Sequence, residues 1–402
     1  MSGGAAAWVH VPVAQQAGGM WIDEVWRERL AETPLVGMSV PPEAPPRQRI
    51  EVVRGVDAGR EVDRLFYQRG WTDGLPIVPP TLARVAEMVR WSALAGDSVL
   101  AELDPLKGQA SVERVAANAV MAGCRPEYFP LVLAAVKGIA DPTFNLRGVS
   151  TTDENVAPLM IVSGPLAAEL GINGGLGALG PGWQANATIG RALRLIMSNI
   201  GGGWPGLVSL AGIGQPARYT LCVAENHAAS PWAPLHADVG MRAEDSALTL
   251  LRAESCINVT GELEELASVM GSAASAFSML HGGHVAVLVA PATARRLAGA
   301  GWSKADVASY LFEHGRIAPE QWRQLWVRRH IGQTYAMPDW IKRAEIVGGA
   351  IPVVESPRNI IVFVAGGEAP IAQQVYFPSW GFPACRLTMA LTMPANWQSL
   401  VE

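Results

Sequence analysis

Gly171 to Gly182 reads GINGGLGALGPG, with glycine at six of twelve positions, against an ordinary usage of about 7%. Glycine loses more backbone freedom on folding than any other residue. Such density is therefore tolerated only where the chain turns sharply, packs closely or approaches a ligand. The loop runs into ANATIGRALRLIMSNI, a helix-like stretch, and then into a second cluster, Gly201-Gly-Gly203. Any fold for this chain must place a bare-backbone loop directly before a helix, whose first N–H groups have no intrahelical acceptor. We read this as the floor of a small-molecule site, with Asn173, Gly175, Asn186, Thr188 and Arg191 as substrate-binding candidates. Asn and Thr also suit helix N-caps, and Arg191 could pair with a substrate carboxylate or with an acid of the protein itself.

Gly175, Gly177 and Gly180 fit the G-x-G-x-x-G spacing. However, PLAAELGIN before them reads as a helix, and no acidic residue follows at the required distance. No P-loop pattern occurs either. The sequence thus carries no fingerprint for NAD or for a nucleoside triphosphate, and the cofactor stays unknown.

Half of the 402 residues are apolar and 17% are charged, a balance that supports a large core and argues against bulk disorder. A net charge of −5 disfavours general nucleic-acid binding. No apolar run is long enough to span a bilayer, and no signal peptide is evident. The four scattered cysteines show no C-x-x-C spacing and suit a reducing compartment, so the expected location is cytoplasmic. Fourteen tryptophans suit pocket walls, but core packing explains most of them.

Residues 1–58 are rich in Pro, Ala and Gly and read as an extended arm or linker. Residues 59–143 carry helical patterns, including LARVAEMVRW and Val112–Ala122. Residues 144–402 alternate strands and helices. APLMIVSGP, YTLCVAEN, SALTLLRAESCINVTG, HVAVLVAP, NIIVFVAGG and ACRLTMAL are the expected strands. The expected fold class is α/β: a mixed sheet with flanking helices, a helical N-terminal portion and a Pro-rich arm. No repeat of solenoid period is visible.

Four further segments carry candidate chemistry. Cys124, in Gly-Cys-Arg-Pro-Glu, would gain thiolate character from a helix N-terminus and from Arg125. It could equally be a small packing residue. Glu225, Asn226 and His236 lie at and beyond the end of a strand, where α/β sheets place their sites. There a Glu–His pair could move protons, with Asn226 binding substrate. Asp73, in WTDGLP, is a turn residue first and a positioned carboxylate second. His281 and His284 are a weak metal alternative, because two histidines need a further ligand.

Six segments together resemble a large bacterial family: WTDGLPIVPPT (Trp71–Thr81), MAGCRPEYFP (Met121–Pro130), INGGLGALGPGWQANATIGRALRLI (Ile172–Ile196), AENHAASPWAPLH (Ala224–His236), GWSKADVASYLFEHGRI (Gly301–Ile317) and VAGG (Val364–Gly367). Genes of that family often lie beside short proteins with a UGSC motif, in which U is selenocysteine or cysteine. Those short proteins in turn resemble part of glycine reductase selenoprotein B. The resemblance runs from about Glu61 to Met389. It implies thiol- or selenol-assisted cleavage or reduction at a carbon–heteroatom bond. This chain has no Gly-Ser-Cys of its own, so such a thiol would come from a separate polypeptide.

The expectation is an oligomeric cytosolic enzyme, a lyase or an oxidoreductase, acting on a small molecule with thiol or acid–base assistance. One alternative is a non-catalytic scaffold for a small thiol or selenol protein. The other is a metal-dependent hydrolase or lyase.

Overall fold

The structure, a computed structural model, describes residues 53, 57–272, 283–329, 337–368, 371–381, 383–395, 397 and 400. The expected arm falls almost wholly outside these, as does His281.

Helices α1 (Ala58–Gln68) and α2 (Leu82–Arg90) lead into a hairpin of β1 (Val99–Leu103) and β2 (Gly108–Ser111) that the sequence reading missed. Helices α3 (Val112–Ala122), α4 (Phe129–Ala140) and α5 (Leu146–Thr151) follow. Helix α3 has sharp ends because Ser111 Oγ accepts from the Arg114 N–H and Gly123 closes it at φ 89°. Next come β3 (Ala157–Ser163), α6 (Pro165–Glu169), α7 (Gln184–Asn199), β4 (Cys222–Ala224), β5 (Ala247–Ala253) and β6 (Ile257–Thr260). The last part holds α8 (Leu263–Ser272), β7 (Val285–Val289), α9 (Pro291–Gly299), α10 (Lys304–His314), β8 (Arg316–Ile317), α11 (Pro319–Gln324) and α12 (Asp339–Val347). It ends with β9 (Ile351–Pro352), β10 (Ile360–Val364), β11 (Gln373–Phe377) and β12 (Leu387–Ala390). No helix among the described residues is long and apolar enough to cross a membrane.

The α/β class holds, with two mixed four-stranded sheets at its centre. One runs β12-β5-β3-β4 and the other β10-β7-β11-β6. In each, one pair is parallel (β3 with β4, β7 with β10) and the other pairings are antiparallel. The sheets face one another. Leu159 and Ile161 of β3 share a buried cluster with Leu288 of β7 and Phe363 of β10, while Met160 and Val162 turn to a cluster with helices α2, α3, α4 and α7. Val285, Val287 and Val289 turn the other way, toward α8, α9 and α10. This period-2 alternation makes four layers: helices, sheet, sheet, helices.

The two sheets repeat one topology. A strand ends at a helix that begins with proline (β3 to Pro165, β7 to Pro291), crosses to a parallel partner (β4, β10), and is followed by an antiparallel strand on the other side (β5, β11). The strand after that changes sheets: β6 leaves β5 to join β11, and β12 leaves β11 to join β5. Ala253 and Ser379 bridge antiparallel where the two segments cross, and Glu254 N–H donates to Pro378 O. The halves are related by topology although their side chains show no repeat.

Candidate functional site

The glycine loop lies at the seam between the sheets. Ala224 N–H donates to Asn173 O, Gly366 N–H to Gly174 O, and Asn226 N–H to Val364 O. These bonds join the carboxyl ends of β4 and β10 through the loop. A Cβ on Gly174 would lie 2.5 Å from Ala224 O, so close backbone approach explains that glycine. Asn186 is buried in α7; its Oδ1 accepts from Asn173 N–H, and its Nδ2 donates to Asn173 O, Ala178 O and Cys222 O. Asn173 Oδ1 accepts from Gly175 N–H, and Asn173 Nδ2 donates to Leu176 O. The N–H groups of Ala178 and Gly180 bond within the loop. The polar groups expected to hold a substrate at Asn173, Gly175 and Asn186 are therefore engaged by the protein.

Thr188 and Arg191 are engaged as well. Thr188 Oγ1 donates to Gln184 O. Arg191 makes a bidentate pair with Asp73, Nε to Oδ2 at 2.7 Å and Nη2 to Oδ1 at 2.9 Å. Its remaining bonds reach Leu75 O, Pro76 O and Ala122 O. The two residues thus meet each other, and their role is to clamp the WTDGLP segment onto α7. Asp73 Oδ1 also accepts from Leu75 N–H, as the turn reading requires.

Cys124 departs from the thiolate expectation. Its N–H bonds back to Ala119 O, at the C-terminal end of α3, where the helix dipole opposes a negative charge. Its Sγ donates to Thr188 O at 3.2 Å, and Arg125 pairs with Glu127 instead. Burial pushes its thiol up to about 12. Cys222 is raised to about 12, and Cys256 and Cys385 to about 11, by the same desolvation. His236 is fully buried: its Nε2–H donates to Arg242 O, which leaves Nδ1 to accept from Ser163 Oγ at 2.7 Å. With both ring nitrogens held, it does not pair with Glu225. Asn226 Nδ2 donates to Gly366 O and its Oδ1 accepts from Ala229 N–H, so it ties the two sheets together.

Glu225 differs from all of these. It sits just past β4, and its N–H still extends the ladder to Val162 O. Its side chain is 4% exposed. Oε2 accepts from Leu235 N–H at 2.8 Å, while Oε1 is buried without a hydrogen bond. Desolvation raises its pKa from 4.5 to about 7, against the Leu235 hydrogen bond and the nearby Lys304 and Arg386 charges.

Around it stand three charged groups from distant segments. Lys304, the first residue of α10, places Nζ 2.7 Å from Asp238 Oδ1, yet that buried ammonium makes no contact with hydrogen-bond geometry. A cation at a helix N-terminus works against the dipole; here the Ser303–Asp306 capping box supports the helix start. Arg386, just before β12, donates from Nη2 to Leu235 O and lies 3.6 Å from Asp238 Oδ2, with Nε buried and unbonded. Asp238, in the 3-10 turn Leu235–Val239, is the most exposed of the three at 32%.

His284 adjoins the Arg386 end. Burial and the Arg386 and Arg252 charges lower its pKa to about 4, so it is neutral, with Nδ1 unbonded. Two neighbouring guanidinium groups make this a poor seat for a metal cation. Among the described residues no three His, Cys, Asp or Glu cluster as metal ligands.

Two open clefts of about 500 and 460 Å³ lie elsewhere, against Tyr310 and His314 of α10. Neither contains a buried polar group lacking a partner. Glu225, Lys304, Arg386 and His284 each carry one of the buried side-chain atoms without a hydrogen bond, and others lie elsewhere in the core, on Asp104, Ser150, Asn199 and Tyr376 among them. Lys304, Asp238 and Arg386 had escaped the sequence reading. A lysine directly after a capping serine was the one local signal, whereas Arg386 had none.

Compared with family models, curated proteins and solved structures, the chain matches none.

Proposed function

We propose that this chain is an enzyme of small-molecule metabolism in which Glu225 transfers a proton to or from a compound bound beside it. One observation carries the reading: a buried carboxyl raised to about 7, with one oxygen unbonded and with the charges of Lys304, Asp238 and Arg386 acting on it. A carboxyl that titrates near neutral pH can act as acid or base under working conditions. Cleavage at a carbon–heteroatom bond, the chemistry implied by the family resemblance, needs such a group to protonate the leaving atom or to deprotonate the neighbouring carbon.

The chain's own cysteines offer poor support for a thiol route: Cys124, Cys222 and Cys385 are buried with raised thiols, and Cys256 is exposed, with no cation acting to lower its thiol. Any thiol or selenol in the reaction would come from a partner. The test begins with a metabolite screen by thermal shift, followed by turnover of the compounds that bind. Glu225→Gln keeps an acceptor for Leu235 N–H and removes the titrating proton. It should lower kcat by about 10²-fold or more. Full turnover in that variant would sink the reading.

A further inference from the structure

The second glycine cluster, residues 201–203, opens a tight loop just past α7 that the Glu225 site does not use. Trp204 O accepts the N–H groups of Leu207, Val208 and Ser209. Gly206 turns the chain at φ 74°, and its N–H bonds to Ser209 O. An arginine grips each end of this loop. Arg194, in the third turn of α7, donates from Nη2 to Gly203 O at 3.3 Å. Arg218, in the 3-10 turn Pro216–Arg218, donates from Nη2 to Ser209 Oγ at 2.6 Å. Because Ser209 N–H bonds to Trp204 O, the residue after Gly203, the two grips stand side by side across the neck of the loop.

Neither guanidinium meets an acid. Arg194 is 8% exposed and Arg218 is half-buried, yet no carboxylate among the described residues lies within ion-pair distance of either. Asp73 is the one acid whose charge acts on Arg194, and it is committed to its bidentate pair with Arg191. Arg218 acts on Arg194 as a like charge. Burial and that repulsion lower Arg194 to about 10, still far above neutral pH, so it stays charged. Two like charges drawn out of water without a counter-charge are costly. Holding the loop does not explain them, since a neutral amide could donate each of the two bonds.

The free donors specify what would offset the cost. Each guanidinium makes one hydrogen bond to the protein, and none of its unbonded nitrogens is sealed from solvent. Ser209 Oγ accepts from Arg218, which leaves its O–H to donate. Guanidinium forks match the paired oxygens of a phosphate, and two permanent positive charges match a doubly negative group. A single carboxylate would leave one charge over, and a cation would be repelled.

We infer that Arg194 and Arg218 seat a phosphate group carrying two negative charges, from inorganic phosphate or a phosphate monoester, with the Ser209 hydroxyl as a further donor. Arg218 precedes β4 and Glu225 follows it, so this is a second site at the other end of that strand. It does not rest on the role proposed for Glu225. An anion held there ties the neck of the loop to α7 and to the lead into β4.

The experiment uses the full chain, with inorganic phosphate and glycerol 3-phosphate as probes and chloride and acetate as contrasts at equal ionic strength. Melting temperature and calorimetric titration are read at pH 8, where the phosphate group carries mainly two charges. At least one phosphate probe should stabilise the protein while both contrasts do not. Tighter binding of glycerol 3-phosphate would identify an ester as the ligand; equal or tighter binding of inorganic phosphate would identify the free ion. Arg218→Gln keeps a donor for Ser209 and removes one charge. It should weaken phosphate binding at least tenfold, and Arg218→Lys should restore part of the loss. Stabilisation by neither phosphate probe would overturn the inference, as would an equal effect of acetate or undiminished binding in Arg218→Gln. The first two readings need no variant, so a misfolded substitution leaves the test intact. Phosphate binding as stated, alongside full turnover in Glu225→Gln, would keep the anion seat and discard the catalytic role. Lost turnover in Glu225→Gln without phosphate binding would do the reverse.

Discussion

At the scale of single residues, Glu225 and His236 show how burial acts on two polar side chains a short turn apart. His236 has a partner on each ring nitrogen and is a structural group. Glu225 has a partner on one oxygen only, and desolvation holds its proton. Its carboxyl titrates above the ordinary 4.5, so between pH 4.5 and 7 the folded chain keeps a proton that the unfolded chain has released. Stability contributed by this group therefore falls as pH rises through that window, by about 3 kcal/mol in total. Glu225→Gln should lose less stability over the same range. Urea denaturation of both proteins at pH 5 and pH 8 measures it, and parallel pH profiles would contradict the raised carboxyl.

At the scale of elements, α7 is held at both ends of its first two turns by tertiary bonds. Asn186 joins the glycine loop, β4 and the helix through four hydrogen bonds, and Arg191 clamps the Asp73 turn. Asn186→Ala would leave one N–H and three carbonyls without this partner. The expected cost is roughly 3 kcal/mol, read as a lower urea midpoint with unchanged slope. A loss under 1 kcal/mol would mean that the loop is held in another way. Glycines in this loop pointed correctly to unusual backbone, because close approach at Gly174 and positive φ at Gly177 and Gly182 demand them. What the backbone approaches was not legible. In the structure it is Ala224 and the loop's own side chains, because a glycine tolerates a neighbouring carbonyl as readily as a ligand.

At the scale of the whole molecule, two half-repeats exchange their last strands, so neither sheet is complete without the other half. The exchange carries Arg386 on the lead into β12, from the second half to the Glu225 site at the end of β4 in the first. The face-to-face packing of the sheets is the common core. Phe363 and Phe377 stack there with ring centroids 6.3 Å apart, both buried to 1% exposure or less. Phe363→Ala should cost about 3–5 kcal/mol by opening a cavity between the sheets. Calorimetry would show it as one lowered transition if the halves unfold together; two separated transitions would mean that the exchange does not couple them. Nothing in residue spacing disclosed the exchange, since topology repeats here while side-chain identity does not.

Short-range order was written in the chain. Ser111 and Gly123 bound α3, continuous apolar runs mark β3 and β7, and Glu225 stands at the end of its strand. These features depend on neighbours a few residues away, through backbone bonds and side-chain period. Only the tertiary structure decided which polar groups face each other: Arg191 found Asp73, Cys124 found Thr188, and Lys304 and Arg386 came to Glu225. Charge pairing and desolvation act through space, so they depend on where distant segments are brought, and that is decided by the packing of the two sheets.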